Sequence, residues 1–219
     1  MVRRHLRISS FYWYLSIVNR LIPGGETHHK EAGVAGSRDL KGYFARTKPH
    51  IKFISDEDAL GRQFLENLGM QKSDRFVSLI IRDSAYKEKY QNWGNRDWSY
   101  HNYRDSCIDT YEKVALELAN KGYWVFRMGK AVHKPFKADH PRILDYANSG
   151  YRSDFLDIWL MANCFFTIST GTGLGAVNSA FRRPLVFVNH IPVGDCNPES
   201  TKNINLFKCL KWESTGNYL

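Results

Sequence analysis

The sequence has few of the features that mark specialised protein classes. It contains four cysteines, which are Cys107, Cys164, Cys196 and Cys209. They form no Cys-x-x-Cys pair and no Cys/His spacing suited to zinc, so we predict no metal site. No apolar run approaches the roughly 18 residues that a membrane-spanning helix needs. We therefore expect a soluble globular protein in a reducing, cytoplasmic setting.

Signatures of nucleic-acid binding are also missing. There is no RNA-binding aromatic motif and no helix-turn-helix pattern, so no nucleic acid partner is expected. The net charge of +9 is nevertheless uneven, since residues 1–50 hold nine Lys/Arg and three Asp/Glu. A basic end of this kind is more often a solvated face, and it leaves open a peripheral contact with an anionic membrane surface.

Phe11 to Val18 form an apolar stretch behind basic residues, as in a signal peptide. The stretch lacks a small-residue cleavage site and ends at Asn19-Arg20, so we interpret it as a packed helix or a linker, with membrane-surface contact as the alternative. Residues 1–54 as a whole contain turn residues and glycines with little apolar periodicity. They are predicted to be a connector or the remnant of an N-terminal domain.

The rest of the chain, residues 55–219, alternates between helical periodicity and short apolar runs. This alternation predicts an α/β fold, a Rossmann-like three-layer domain with a parallel sheet. The predicted helices cover 55–68, 107–120, a segment from 154 and a segment starting near 171–173. The predicted strands cover 76–81, 123–126, a short piece within 140–146, 165–168 and 185–188, and 206–212 is a last short helix or strand.

The segment from Asp154 to Pro192 organises the predicted site. An apolar helix leads into a buried strand, which stops in Ser169-Thr170-Gly171-Thr172-Gly173, and a second helix follows. A turn of this kind before a helix N-terminus gathers phosphate through its N–H groups and the helix dipole. The alternative is that the turn only ends a strand, because it matches neither the Gly-x-Gly-x-x-Gly nor the Walker pattern.

Basic residues follow two other predicted strands. Arg82 and Asp83 come after the first strand, and Arg127 and Gly129 come after the second. Ligands bind beyond the carboxyl ends of parallel strands, so a cation there is well placed for a phosphate. A surface ion pair between Arg82 and Asp83 is the alternative.

Residues 86–106 are predicted to be a long functional loop. The loop contains Trp93, Trp98, Tyr103 and Arg104. Its aromatic side chains are suited to stack on a base or sugar, or else to cover the edge of the sheet.

Two carboxylates open the apolar helix that begins near residue 154. Asp154 follows Ser153, a good N-cap residue, and complements the helix dipole. Asp157 faces either the nucleotide or the solvent. Both are candidate substrate-binding residues.

Several motifs, in order along the chain, carry a family resemblance. They are RLIPGG at 20–25, SRDLKGYFARTKPHIKF at 37–53, LGRQFLENLG at 60–69, LIIRDSAY at 79–86, YRDSCIDTY at 103–111, GYWVFRMGK at 122–130 and DYANSGYRSDFLDIWLMANCFFTISTGTGLG at 145–175. Together they resemble a family of bacterial proteins assigned as glycosyltransferases of the two-domain GT-B type. The resemblance covers nearly the whole chain.

A further similarity reaches the fucosyltransferase-like GT-B enzymes, in which an arginine after a strand contacts the diphosphate of the donor. Arg82 in IIRDS stands at the matching position, and the resemblance therefore implies a catalytic role for it. The stretch from Asp157 to the turn at 169–172 is also similar, which implies nucleotide recognition near Asp157 and phosphate contacts from the turn. The turn is richer in glycine here than in those enzymes, which leaves its side-chain contacts open.

GT-B enzymes have two Rossmann-like domains, the acceptor domain first, and this chain looks like the donor half. The resemblance implies a glycosyltransferase, or its donor-binding half, that transfers a hexosyl or deoxyhexosyl group from a nucleotide-diphosphate sugar to a glycan or other acceptor. Bacterial polysaccharide biosynthesis, in the cytoplasm or at the inner face of the membrane, is the implied setting. No metal ion or cofactor is expected, and an N-terminal domain or partner subunit would supply the acceptor pocket.

Two other functions remain open at this stage. One is a non-catalytic nucleotide-binding or interaction module, or a truncated relic of an enzyme. The other is a nucleotide-sugar epimerase, which would need its own acid/base pair. No paired carboxylates are well placed for acid/base work in the sequence, although His101 and Asp105 are candidate helpers.

Overall fold

The computed structural model describes residues 9–28, 43–90, 97, 99–191 and 200–218. The chain divides into two compact units, residues 1–40 and 41–219. Trp93 and Trp98, two of the predicted stacking residues, lie outside the described residues. Within the described ranges, no helix is both long and apolar enough to cross a membrane.

The first unit contains helix α1, Ser9–Leu21, and a short 3-10 helix, Gly25–His28. Asn19 Nδ2 donates a hydrogen bond to the carbonyl oxygen of Gly25 at 2.9 Å. A Cβ on Gly25 would lie 1.8 Å from the carbonyl oxygen of Asn19, so the chain turns back against the helix only because residue 25 has no side chain. The apolar stretch from Phe11 to Val18, which we interpreted as a packed helix or a linker, lies within α1 and is helical.

The second unit is built on a six-stranded sheet in which every pair of neighbouring strands is parallel. The strands are β1 Phe76–Ile80, β2 Trp124–Arg127, β3 Ile143–Leu144, β4 Phe166–Ser169, β5 Leu185–His190 and β6 Ile204–Phe207. Their order across the sheet is β3-β2-β1-β4-β5-β6, which is the strand order of Rossmann folds. The predicted α/β fold with a parallel sheet is confirmed.

Helices flank the sheet and complete three layers. They are α2 Tyr43–Arg46, α3 Ser55–Asn67, α4 Ala85–Tyr90, α5 Glu112–Asn120, α6 Asp154–Asn163 and α7 Gly175–Ala180. Short 3-10 helices cover Ser99–Arg104, Ile108–Tyr111 and Tyr146–Asn148.

Strand β1 is buried on both faces, which explains why its residues other than Ser78 are apolar. Successive side chains of a strand point to opposite faces. Phe76 and Ile80 accordingly join the core formed with α6, whereas Val77 and Leu79 join the core formed with α5. The sheet is therefore held between two apolar clusters, and its edges are free to carry polar residues.

The structure refines several local features of the sequence prediction. At the start of α3, the backbone N–H of Ile54 donates a hydrogen bond to Glu57 Oε2 at 3.1 Å. The segment 86–106 is not simply a loop, since it contains most of α4 and a 3-10 helix. Of the two alternatives left open for the last element, the structure has the strand, β6, at Ile204–Phe207.

Part of the predicted connector packs against the sheet domain. The ring of Phe53 stacks on Phe181, with centroids 5.3 Å apart, and meets the edge of Phe155. Arg182 Nη2 donates to Thr47 Oγ1 at 3.0 Å. Residues 43–53 thus contribute contacts to the second unit, and the domain boundary at residue 54 stays a prediction.

Helices α3 and α6 approach closely at Gly61. A Cβ on Gly61 would lie 2.0 Å from Cε2 of Trp159, whose indole N–H donates to Asp58 Oδ1 at 3.2 Å. Gly61→Ala should therefore lower the free energy of unfolding by about 1–3 kcal/mol, as overpacking does, measured by urea denaturation.

The sign of this effect is diagnostic, because Gly→Ala at an unobstructed helix position stabilises by about 1 kcal/mol. Gln63→Ala, at an exposed position of the same helix, is the matched control and should change the free energy of unfolding by less than about 0.5 kcal/mol. A Gly61→Ala protein as stable as the unaltered chain would contradict the close packing.

Candidate functional site

An open cleft of about 800 Å³ lies at the edge of the sheet where the strands end. It is lined by residues that follow or end four strands: Arg82 after β1, Gly129 after β2, Gly171 after β4 and His190 at the end of β5. The strand order reverses between β1 and β4. Ligands of open α/β sheets bind at such a reversal, so the cleft is the candidate functional site.

The hydroxyls of Ser169 and Thr170, predicted to contact the substrate, form hydrogen bonds with the backbone instead. The Thr170 hydroxyl accepts a hydrogen bond from the backbone N–H of Arg82 at 2.8 Å. The Ser169 hydroxyl accepts one from the backbone N–H of Gly171 at 3.1 Å. Both side chains are buried, so these hydroxyls hold the turn in place behind the cleft.

The remainder of the turn, residues 171–173, does line the cleft. Gly171 has a φ of +84°, a conformation that favours glycine. The helix that follows, α7, begins only at Gly175 and has six residues. Its dipole is correspondingly small, so the electrostatic attraction at this edge has to come mainly from charged side chains.

Arg82 lies at the reversal of strand order with a fixed side chain. Its Nε donates to Asp105 Oδ1 at 2.9 Å, and the side chain is 12% exposed. The predicted alternative, an ion pair with Asp83, does not form. Asp83 instead accepts hydrogen bonds from the backbone N–H groups of Ala85 at 3.1 Å and His133 at 3.0 Å.

Two more cations, Lys87 of α4 and Arg104, line the same cleft. The pKa of Lys87 is lowered, first by burial and then by the positive charges of Arg82 and Arg104. Lys87 therefore lies close enough to Arg82 and Arg104 for their positive charges to act on it, and the carboxylate of Asp105 offsets this only in part. A cleft with such an excess of positive charge attracts anions.

Arg127 lies outside the cleft although it ends β2. Its guanidinium is fully buried and donates to Asp145 Oδ1 at 3.1 Å and to the carbonyl oxygen of Lys134 at 3.2 Å. The alternation of side chains along a strand explains this placement. Met128, the next residue, lines the cleft, so Arg127 points to the opposite face of the sheet.

Gly129 lines the cleft as its position in the sequence predicts. It has a φ of +154°, and a Cβ at this position would lie 2.7 Å from Cγ1 of Val132. The chain can therefore fold back beside the cleft only with glycine here. The residue shapes the wall and leaves ligand contacts to its neighbours.

The two predicted carboxylates of α6 lie in different surroundings. Asp157 lines the cleft and accepts a hydrogen bond from Arg152 Nη2 at 2.7 Å. Burial raises the pKa of Asp157, while Arg152 acts against that rise. Asp154 is exposed and does not itself line the cleft, although it pairs with Arg152 and, at 3.2 Å, with the cleft residue Lys130.

Tyr103 and Arg104, neighbours in the sequence, have different surroundings. Arg104 lines the cleft, with Nη2 3.6 Å from the place that a Cβ of Gly171 would occupy. Tyr103 is 49% exposed and does not line the cleft, and its carbonyl oxygen accepts a hydrogen bond from Lys208 Nζ at 2.8 Å.

His190 is a residue of the cleft that the sequence patterns did not identify. It lies two positions beyond the predicted end of its strand, and pairing with β6 shifts register between Phe187 and His190. Asn189 has a φ of +50°, a left-handed conformation that asparagine tolerates. The irregularity places His190 in the cleft beside Leu185 and Phe187, where regular alternation would have placed residue 189.

The comparisons with known proteins give one kind of match. No protein-family model and no curated protein matches the chain. Among solved structures, the chain is similar to a glycosyl transferase family 9 protein from Veillonella parvula DSM 2008, with a TM-score of 0.50 and 14% identity over 72% of this chain and 42% of that chain. At this level of identity, the likeness shows the fold alone.

Two structures from E. coli are also matched. ADP-heptose lps heptosyltransferase II gives a TM-score of 0.47 and 16% identity, over 74% of this chain and 45% of that chain. Heptosyltransferase WaaC with ADP-2-deoxy-2-fluoro heptose gives a TM-score of 0.37 and 17% identity, over 73% and 44%. The matched part of this chain thus spans less than half the length of each of the three proteins.

The lowered pKa of Lys87 predicts how anion binding depends on pH. A bound anion favours the charged form of Lys87 and raises its pKa. The affinity for the anion is therefore highest at pH values below the lowered pKa of Lys87, and it falls as the pH rises through that pKa. Sulfate stays doubly charged in this range, and its affinity, measured by calorimetry at constant ionic strength, should decline from neutral to alkaline pH.

Lys87→Arg is the matched control, because a guanidinium keeps its charge throughout this pH range. The variant should bind sulfate at neutral pH and lose the alkaline decline. An equal decline in both proteins would show that Lys87 does not face the bound anion.

Proposed function

We propose that the cleft binds the diphosphate of a nucleotide sugar, and that residues 55–219 form the donor-binding domain of a GT-B glycosyltransferase. The convergence of Arg82, Lys87 and Arg104 on one cleft carries this proposal. These cations meet at the reversal of strand order, where Rossmann-like domains hold nucleotides. The likeness in fold to a glycosyl transferase family 9 protein agrees with it.

Arg82 is the proposed catalytic group. Transfer of the sugar leaves negative charge on the departing diphosphate, and a cation held ready beside it stabilises that charge in the transition state. The ion pair with Asp105 keeps the guanidinium from reorganising during the reaction. Loss of one such group typically raises the barrier by roughly 3 kcal/mol. Because the arginine supplies the positive charge, the proposed transfer does not require a metal ion.

The rest of the cleft suits the nucleoside and the sugar. Its volume of about 800 Å³ lies in the range of ligand-binding clefts. Ile158 and Val132 provide apolar surface, and Asp157 provides a carboxylate that would accept hydrogen bonds from hydroxyl or amino groups. The turn at residues 171–173 would contact the phosphates, with Gly129 shaping the opposite wall.

The acceptor and the general base belong to the rest of the proposed enzyme. The resemblance to two-domain GT-B enzymes implies that an N-terminal domain or a partner subunit would supply the second half of the site. Hexosyl or deoxyhexosyl transfer to a glycan, in cytoplasmic polysaccharide biosynthesis, is the reaction that we infer for the assembled protein. Residues 1–54 would then form the connector between the halves.

Arg82→Ala tests the donor site. Affinities for UDP, GDP, CDP and ADP sugars, measured by calorimetry, should identify a bound donor, and the variant should bind it about 10- to 100-fold more weakly, because a charge-assisted hydrogen bond is lost. Lys113→Ala removes an exposed charge from α5 and should leave the affinity unchanged. Equal affinities of Arg82→Ala and the unaltered protein would defeat the assignment.

A non-catalytic nucleotide-binding module is the second candidate, favoured by the hydrogen bond from Arg152 that already engages Asp157, a carboxylate of the cleft. Both functions predict donor binding, so binding alone does not distinguish them. Transfer or hydrolysis of the bound sugar by the purified chain would exclude the non-catalytic module. Retention of the intact sugar nucleotide when the proposed N-terminal domain or partner subunit and an acceptor are also present would favour it.

Helix α1 is proposed to contact an anionic membrane surface. Tyr14, Val18 and Leu21 lie on one helical face and are 60%, 52% and 79% exposed. Residues 1–25 contain four arginines and no acidic residue. An apolar face next to basic residues is typical of helices that lie in the interface of an anionic bilayer.

Vesicles containing anionic lipid should therefore bind the chain, and binding should weaken as salt screens the arginines. Val18→Asp should abolish it, because a carboxylate would enter the apolar face. Co-sedimentation with vesicles measures both effects, and vesicles of neutral phosphatidylcholine are the control. Binding to both vesicle types alike, or undiminished binding of Val18→Asp, would contradict this contact.

A further inference from the structure

His190 combines deep burial with unused hydrogen-bonding capacity. The residue is 5% exposed, and its ring packs on Phe187 and Phe207 with centroid distances of 5.0 and 6.3 Å. Neither Nδ1 nor Nε2 has a hydrogen-bond partner in the described structure, although both atoms are buried. Apolar contacts thus hold the ring in place while its polar atoms are left unsatisfied.

Two neighbouring side chains share this property. The Nε of Arg104 and the Oγ1 of Thr172 are also buried without a hydrogen-bond partner among the described residues. A Cβ on Gly171 would lie 3.6 Å from Arg104 Nη2 and 3.8 Å from His190 Nδ1, so both nitrogens lie around the same glycine. Three segments that are distant in sequence therefore bring unsatisfied polar atoms to one wall of the cleft.

Buried polar groups of folded proteins almost always have partners, and the exceptions often mark places that a ligand completes. The chemistry of the three groups indicates which ligand. A guanidinium only donates hydrogen bonds, a neutral imidazole offers one N–H, and a threonine hydroxyl can donate. A set rich in donors and lacking a carboxylate is complementary to an anionic oxygen and not to a cation.

We propose that His190 donates an imidazole N–H to an anionic phosphoryl oxygen of the bound ligand, and that Arg104 and Thr172 complete this inner anion subsite. The inference rests on the proposed function and adds to it a group that contacts the donor diphosphate beside the turn at residues 171–173. The backbone N–H of Arg82 is bonded to the same turn through the Thr170 hydroxyl. The register shift of β5 is what delivers the imidazole to this position.

His190→Phe separates ligand contact from structure. Phenylalanine keeps an aromatic ring against Phe187 and Phe207 but removes the N–H, so we expect donor affinity to fall about tenfold or more, with a midpoint of thermal unfolding equal to or higher than that of the unaltered protein. His190→Gln restores an N–H donor and should bind the donor several-fold more tightly than His190→Phe. Calorimetry with UDP, GDP, CDP and ADP sugars and thermal denaturation measure these quantities.

The pair of variants gives a decision in each case. Equal donor affinity of His190→Phe and the unaltered protein overturns the proposal, as does equally weak binding by the Phe and Gln variants. If the unaltered protein binds none of the nucleotide sugars, the proposed function fails, and inorganic pyrophosphate becomes the probe of the anion subsite. Weaker pyrophosphate binding by His190→Phe then supports the subsite, and unchanged binding overturns it.

Discussion

The hydroxyl of Thr170 connects the two strands on which the candidate site depends. It accepts a hydrogen bond from the backbone N–H of Arg82, while the N–H of Thr170 donates to the carbonyl oxygen of Ile80 at 3.1 Å. The carbonyl oxygen of Arg82 accepts a hydrogen bond from Ser106 at 3.0 Å, which anchors the segment containing Arg104. The positions of the chain at Arg82 and near Arg104 thus follow from hydrogen bonds to the backbone of Arg82, one of which ends on the buried Thr170 hydroxyl.

The sheet could be predicted because its signals are local and strong. The apolar run at 76–81 has the composition of a strand buried on both faces, and polar residues mark where it stops. Since the carboxyl ends of parallel strands meet at one edge, the ends of the runs at 76–81 and 165–168 also locate the cleft. The sequence therefore predicts that Arg82 and the turn after β4 lie close together.

The direction of individual side chains could not be predicted as well. Arg127, like Arg82, lies at the carboxyl end of a predicted strand. The alternation of side chains along β2 nevertheless directs it away from the cleft, where it forms a buried ion pair with Asp145. His190 enters the cleft through an irregularity that no local motif announces. Lys87 and the pairing of Arg82 with Asp105 depend on how the segment after β1 folds back, and that is decided by contacts distant in sequence.

The bond between Arg82 and Thr170 spans 88 positions of the chain. Parallel sheets with such non-local contacts acquire their topology slowly, because the entropy of closing a long loop is lost before the contact forms. β1 and β2 both precede β4 in the sequence, and the cleft is complete only when β4 has paired with β1. A ligand of the cleft then binds only the native state, in which β4 lies beside β1. Its binding shifts the folding equilibrium toward this topology.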